Sequence, residues 1–279
     1  MSVVRDIEAG AGRTILVVVA HADDPALFLG GTIARWSDAG WQVVVLRVTD
    51  DRWDSLALDE VATTHRSTAE LAAVAAILGI AAVVDLGWPT DTLGDASEVV
   101  LREQIIREIR RHRPYALVTF DPFAMYGEDN QDHLLVAAAT DEAFWTAQFD
   151  KHHPEHGAEG LEPHGCFERW WFGRSVQHVS DVVDISSSLD RKIDAAVAHD
   201  TPMRNYVHQL RLQARTGGWE VPMLDNAQDG DLRPLLEALL RASAGRVGDR
   251  YGLAAAEEFR VVRYGGLEPL LERFGRRRS

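Results

Sequence analysis

The 279-residue chain has one cysteine, Cys166. A lone thiol rules out an internal disulfide framework and suits a reducing compartment, so a cytoplasmic protein is expected. No apolar run approaches the ~18 residues needed to cross a bilayer. The opening segment, MSVVRDIEAGAGR, has no apolar stretch of the signal-peptide kind. Positive charge is also scarce: 29 Lys and Arg face 43 Asp and Glu, a formal net charge of −14. That balance argues against nucleic acid or an anionic membrane as partner. No repeat and no low-complexity segment occurs, and a homo-oligomer stays open.

Apolar content is 46%, enough for a full core, and the length suits one large domain. Ile15–Val19 and Val43–Val48 are Val-rich runs of the kind buried on both faces of a parallel sheet. Ala82–Leu86 and Tyr115–Phe120 read as further strands. Helical spacing covers Gly31–Ala39, Val61–Leu78 (ended by Gly79), Val99–His112 and Leu134–Ala147. This alternation predicts an α/β fold with a mostly parallel sheet and helices on both faces. Beyond residue 150 the alternation breaks. Lys151–Gly165, polar and with four His, reads as a surface loop. Trp170–Val179, Val182–Ile185 and Phe259–Arg263 read as strands, and Ser188–His199 and Leu235–Ala242 as helices. Signals from Thr201 to Gly230 are mixed. We expect one domain over 1–279, with 1–150 as its βα core and 151–279 as a C-terminal elaboration.

Ligands of open parallel sheets bind beyond the carboxyl ends of the strands. There the chain places His21, Asp23 and Asp24, then Asp50 and Asp51, then LGWPTD (Leu86–Asp91), then DPFAMYGEDNQDH (Asp121–His133). Carboxylates crowded in this way need a cation. Hydrolytic zinc takes three His or carboxylate ligands and leaves a fourth position for water. His21 and Asp24 supply two ligands from one tight turn, and His133 is the candidate third. Asp23 points elsewhere and suits a general base. Asp132 either orients a ligand imidazole or is an acid at a helix start. A phospho-acceptor module would need a lysine at a strand end, and neither Lys151 nor Lys192 qualifies. A dinucleotide site would need a glycine-rich first turn, where this chain is acidic.

These residues carry a resemblance. AHADDPALFLGGTIA resembles the AHPDDE…GG signature of the LmbE-like, or PIG-L, N-acetylglucosaminyl deacetylases, and NQDHLLVA resembles their H-P-D-H motif. HRSTAELAAVAAILGI, LGWPTDTL and AAAEEFRV are similar to three weaker motifs, in the right order. The resemblance implies a Rossmann-like sheet and one zinc ion per chain held by His21, Asp24 and His133, with Asp23 as base. It implies that Arg66 and Asp91 contact sugar hydroxyls and makes Tyr126 a substrate-binding candidate. The implied reaction is removal of an N-acyl group, acetyl first, from an amino sugar or its conjugate, in a small-molecule pathway such as secondary metabolism. The alternatives are an amidase on a glycosylated thiol or other conjugate, and a catalytically impaired sugar-binding relative.

The chain departs from the family pattern at Ala22, Pro25 and Asn130, which stands where the family has a His. YGEDNQDH is two residues longer than Y-G-H-P-D-H. Asn130 offers a neutral donor toward a developing oxyanion, or simply favours a loop conformation. Arg66 reads equally as a surface ion pair with Glu70 or Asp59, and Asp91 as a turn residue. His152, His153, His156 and His164 read as a solvated loop ahead of a metal site.

Overall fold

The computed structural model describes residues 3–124, 127–263 and 268–276. In chain order its strands are β1 (Val3–Val4), β2 (Thr14–Val19), β3 (Gln42–Thr49), β4 (Ala82–Trp88), β5 (Ala116–Phe120), β6 (Glu168–Phe172), β7 (Asp181–Asp184) and β8 (Ala256–Arg263). The helices are α1 (Asp24–Asp38), α2 (Glu60–Leu78), α3 (Glu98–His112), α4 (Gln131–Thr146), α5 (Leu189–Ala198), α6 (Asp200–Thr216), α7 (Pro222–Asp229), α8 (Arg233–Asp249) and α9 (Glu268–Phe274). The strands form one sheet in the order β1-β7-β8-β6-β5-β2-β3-β4. Strands β6, β5, β2, β3 and β4 are parallel, and β8 runs antiparallel to β6 and β7. The expected mostly parallel sheet is what the chain forms.

Period-two alternation splits the strand side chains between two cores. Ile15, Val17, Val19, Val43 and Val45 face one, with side chains of α1, α2, α5 and α8. Leu16, Val18, Val44, Leu46 and Val48 face the other, with α3 and α4. Both faces are buried, which explains why these strands are continuous apolar runs. Helix ends follow local chemistry. The Asp59 side chain caps α2 through Ala62 N–H, and Gly79 closes it at φ 76°.

Beyond residue 150 the structure differs from the sequence expectation in three places. The strand foreseen at Trp170–Val179 stops at Phe172, and the chain turns so that Gln177 N–H donates to Asp121 Oδ2. Thr201–Gly230 resolves into α6 and α7, which bury Met203, Val207 and Leu224 in a third apolar cluster. Lys151–Gly165 is no solvated loop throughout. It wraps buried Arg110, whose guanidinium donates to the carbonyls of Ala147, Phe149, His152 and His153. His156 is fully buried between Arg110 and Glu103.

One contact ties the two halves together. Helix α1 breaks at Leu29, where φ is −137° and ψ 20°. Past the break, the N–H groups of Gly31 and Thr32 donate to the Glu257 carboxylate at 3.1 and 2.8 Å, and Thr32 Oγ1 adds a bond at 2.6 Å. Glu257 thus caps a helix segment from a strand more than two hundred residues away. Buried Lys192 neutralises it at 2.5 Å. The helix can approach because position 31 is Gly: a Cβ there would lie 2.7 Å from Ile185.

Removing one partner of a buried ion pair costs about 3–5 kcal/mol. Glu257→Ala is therefore expected to lower unfolding stability by about that amount, read as a fall in the urea midpoint at unchanged slope. A second prediction concerns His199, between α5 and α6. It is fully buried, neither ring nitrogen makes a well-formed hydrogen bond, and burial pushes its pKa from 6.5 down to about 4. Between those values the unfolded chain binds a proton that the folded chain does not, so stability present above pH 6.5 is lost as pH falls toward 4. The loss amounts to about 3 kcal/mol. Urea midpoints should fall more steeply from pH 7 to 4 in the parent than in His199→Leu.

Candidate metal centre and active site

The chain runs β2, β3, β4 outward to one sheet edge and then returns to lay β5 on the other side of β2. The carboxyl ends of β2 and β5 therefore flank a topological switch point, where connections leave in opposite directions and open a crevice. His21, Asp23 and Asp24 follow β2. Glu128, Asn130, Asp132 and His133 follow β5.

Three side chains converge there. His21 Nδ1 and His133 Nε2 are 3.1 Å apart, His133 Nε2 is 3.2 Å from Asp24 Oδ1, and His21 Nδ1 is 3.7 Å from Asp24 Oδ2. All three residues are buried. Two buried imidazole nitrogens facing one another beside a carboxylate need positive charge between them. Burial alone would lower His21, but Asp132 and Asp24 hold it well above the ordinary range. Burial likewise opposes His133, yet Asp24 and Glu128 push it up to about 9. One divalent cation on the three facing atoms meets the same demand without protons. The two nitrogens and one carboxylate oxygen match the donor set of a hydrolytic zinc site, and the three residues form a cluster of metal-holding geometry.

Each imidazole also meets a carboxylate on its far side. Asp132 Oδ2 stands 3.6 Å from His21 Nε2, and Glu128 Oε1 stands 3.1 Å from His133 Nδ1. Asp132 is held in turn by Asp91 N–H at 2.8 Å. The His133 ring stacks on Phe120 at 3.9 Å and meets the edge of Phe28 at 5.9 Å.

Asp23 behaves differently. It occupies the cap position of α1, yet its side chain caps nothing, and its buried Oδ2 has no hydrogen-bond partner. Burial, with Asp24 beside it, pushes its pKa up to about 7. Asp24 stays below the ordinary range, because His133 and His21 outweigh its burial, and its Oδ2 accepts from His21 N–H at 2.7 Å. An uncapping, proton-accepting carboxylate beside three metal-type donors is equipped to take a proton from water.

The other acids of this edge divide by whether an arginine serves them. Asp50 is paired with Arg52, and Asp51 accepts from Arg47, Ser67 and Ala22 N–H. Arginines answer much of the crowding there, while Asp51 also lies with His21 and Asp54 in a group close enough to hold an ion. Among the described residues Asp54 has no arginine partner. Burial pushes it up to about 7, with Asp51, Asp91 and Asp24 adding to the effect.

Asn130 caps α4: its Oδ1 accepts from Asp132 N–H at 2.9 Å, which leaves the amide nitrogen as donor. Asp91 lies at the same edge, exposed and in a left-handed turn at φ 60°. Arg66 is exposed on α2, and Glu70 is engaged by Thr201 rather than by Arg66. Tyr126 lies outside the described residues. His156 has both nitrogens committed to Arg110 and Glu103, so the cluster it forms with His153 and Glu155 is structural. Sequence reasoning missed Glu128, Arg174, Asp54 and Tyr206. Only Glu128 carried a signal, as an acid inside the segment that holds His133. Tyr206 comes from α6, and burial with Asp23, Asp54 and Asp24 nearby raises its hydroxyl well above the ordinary range.

A family model described as PIG-L, GlcNAc-PI de-N-acetylase, matches residues 16–144. The chain is 30% identical over 159 residues to 1D-myo-inositol 2-acetamido-2-deoxy-alpha-D-glucopyranoside deacetylase of Mycobacteroides abscessus, a match covering 48% of this chain and 57% of that protein. It is 28% identical over 207 residues to diacetylchitobiose deacetylase of Thermococcus kodakarensis, covering 71% of this chain and 73% of that protein. The first match thus spans less than two thirds of its relative's length. Among solved structures, N,N'-diacetylchitobiose deacetylase from Pyrococcus horikoshii superposes with a TM-score of 0.73 at 22% identity, over 92% of this chain and 87% of that one. That last likeness speaks to the fold, and it reaches well beyond the segment matched by the family model.

Protein purified without chelators is expected to carry one divalent ion per chain. His21→Ala and His133→Ala should each abolish it in elemental analysis, and stoichiometric metal in both variants would rule these ligands out.

Proposed function

We propose that this chain, whose residues 16–144 match the PIG-L family model, is a zinc-dependent N-deacetylase acting on an N-acetylated amino sugar or its conjugate. The observation that carries the reading is the convergence of His21, Asp24 and His133 beside an uncapping Asp23. His21, Asp24 and His133 would hold the ion. Bound there, a zinc ion supplies Lewis acidity, acidifying water and polarising the amide carbonyl.

The remaining steps belong to the protein. Asp23, whose side chain caps nothing and whose Oδ2 has no hydrogen-bond partner, accepts the proton as the water oxygen attacks the acyl carbon. As the C–N bond breaks, the same carboxyl returns that proton to the leaving nitrogen, so acetic acid and a primary amine result, and the acid then loses its proton to solvent or to the amine. Asn130 donates from its amide nitrogen to the charge growing on the carbonyl oxygen. Arg66, Asp91 and Tyr126 contact substrate hydroxyls. The lone cysteine suits a cytoplasmic setting, and among the described residues no helix is long and apolar enough to cross a membrane.

The capping bond of Asn130 favours a second reading, a sugar-binding relative with impaired catalysis. One assay separates the two. N,N'-diacetylchitobiose and an N-acetylglucosaminyl inositol are incubated with the zinc-loaded protein, and primary amine is measured. Release of amine is expected, and Asp23→Asn should keep the metal while losing roughly 10²–10⁴-fold in kcat. Binding of these sugars without amine release would favour the impaired relative. Metal loss in Asp23→Asn with retention in Asp24→Asn would reverse the two roles.

A further inference from the structure

Glu128 lies in the segment where this chain is longer than the family pattern, and none of the ligand or base roles uses it. The residue is buried, its side chain only 2% exposed, although the next residue, Asp129, is solvent-facing. Burying a carboxylate is costly unless donors compensate it. Two hydrogen bonds do so, and both reach one oxygen: Arg174 Nε and Asn130 N–H each donate to Glu128 Oε1 at 3.1 Å. His133 Nδ1 stands 3.1 Å from the same oxygen, an ion-pair contact without hydrogen-bond alignment. The other Glu128 oxygen is buried and makes no hydrogen bond.

This geometry bears on the ring of His133. Phe120 and Phe28 hold the ring plane. Neither can choose which nitrogen carries the proton. A carboxylate 3.1 Å from Nδ1 does choose, because its charge favours the proton on that nitrogen and leaves the Nε2 lone pair toward Asp24 and His21. Arg174 approaches from the segment between β6 and β7. Its guanidinium pairs with Glu128, reaches Asp129 at 3.3 Å, and lies 5.9 Å from the centre of the Phe28 ring. Among the described residues, the link from Arg174 to His133 runs through Glu128.

We propose that Glu128 is the positioning residue that sets the tautomer and orientation of His133 for metal binding, and that Arg174, through Glu128, anchors it from the C-terminal half of the chain. This rests on the reading that His21, Asp24 and His133 hold a divalent ion.

The test is zinc affinity of the full chain, stripped of metal and titrated with zinc chloride against a chromophoric chelator. Glu128→Ala should weaken binding about 10–100-fold, the usual cost of losing a carboxylate behind a ligand imidazole. Arg174→Ala, a change at a half-exposed side chain that leaves the core intact, should weaken it by less. On the Glu128→Ala background Arg174→Ala should add nothing, because the arginine acts through the glutamate. The melting temperature of the metal-free variants serves as the control for a purely structural role.

Lower melting temperatures with unchanged zinc affinity in both single variants would overturn the proposal. So would an Arg174→Ala effect that persists in full without Glu128. Parent protein that binds no zinc would instead sink the metal reading, and this inference with it.

Discussion

Everything near the crevice depends on the carboxylate of Glu257. A helix broken at Leu29 exposes N–H groups in a dry interior, and an unpaired buried N–H is expensive. Glu257 takes the N–H groups of Gly31 and Thr32, and Lys192 takes the charge. The break frees the first turn and a half of α1, with Asp24 and Phe28, to sit at an angle that the rest of the helix does not share. The capping carboxylate comes from β8 and the lysine from α5. The C-terminal third is thus the clamp that sets how the first metal-type ligands enter the site.

The acidic edge of the sheet shows how one kind of residue serves two ends. Asp50 and Asp51 are served by arginines and accept several N–H or O–H bonds, so they are settled structure. Asp23 and Asp54 are left without an arginine, and burial raises both, as it also raises Asp51. A fold that pairs some acids and leaves others bare beside two facing imidazoles concentrates an electrostatic demand at one place. Perturbed groups in a crevice are the physical mark of a functional site.

Much of the parallel core was legible in advance because its signals are local. The Val-rich runs, the helical periodicity and Gly79 after α2 each act within a few residues. His21 and Asp24 were legible for the same reason, since three residues in one turn must be neighbours. Past residue 150 legibility falls. Arg110 carries no signal in the sequence, yet it is buried and organises the following loop through backbone carbonyls that no pattern marks. The strand expected through Val179 ended at Phe172, because the next residues bond across to Asp121.

The sequence by itself determined the alternation of strand and helix, the acidic character of the strand ends and the pairing of His21 with Asp24 in one turn. These follow from periodicity, net charge and short-range geometry, which do not depend on the rest of the fold. Only the tertiary structure decided that His133 Nε2 faces His21 Nδ1, that Glu128 and Asp132 stand behind the two rings, and that Asn130 spends its oxygen on a helix cap. Each of these is a contact between segments whose approach is set by packing of the whole sheet. Hydrogen bonds and ion pairs act over about 3 Å, and no spacing in a sequence fixes distances at that scale between remote residues.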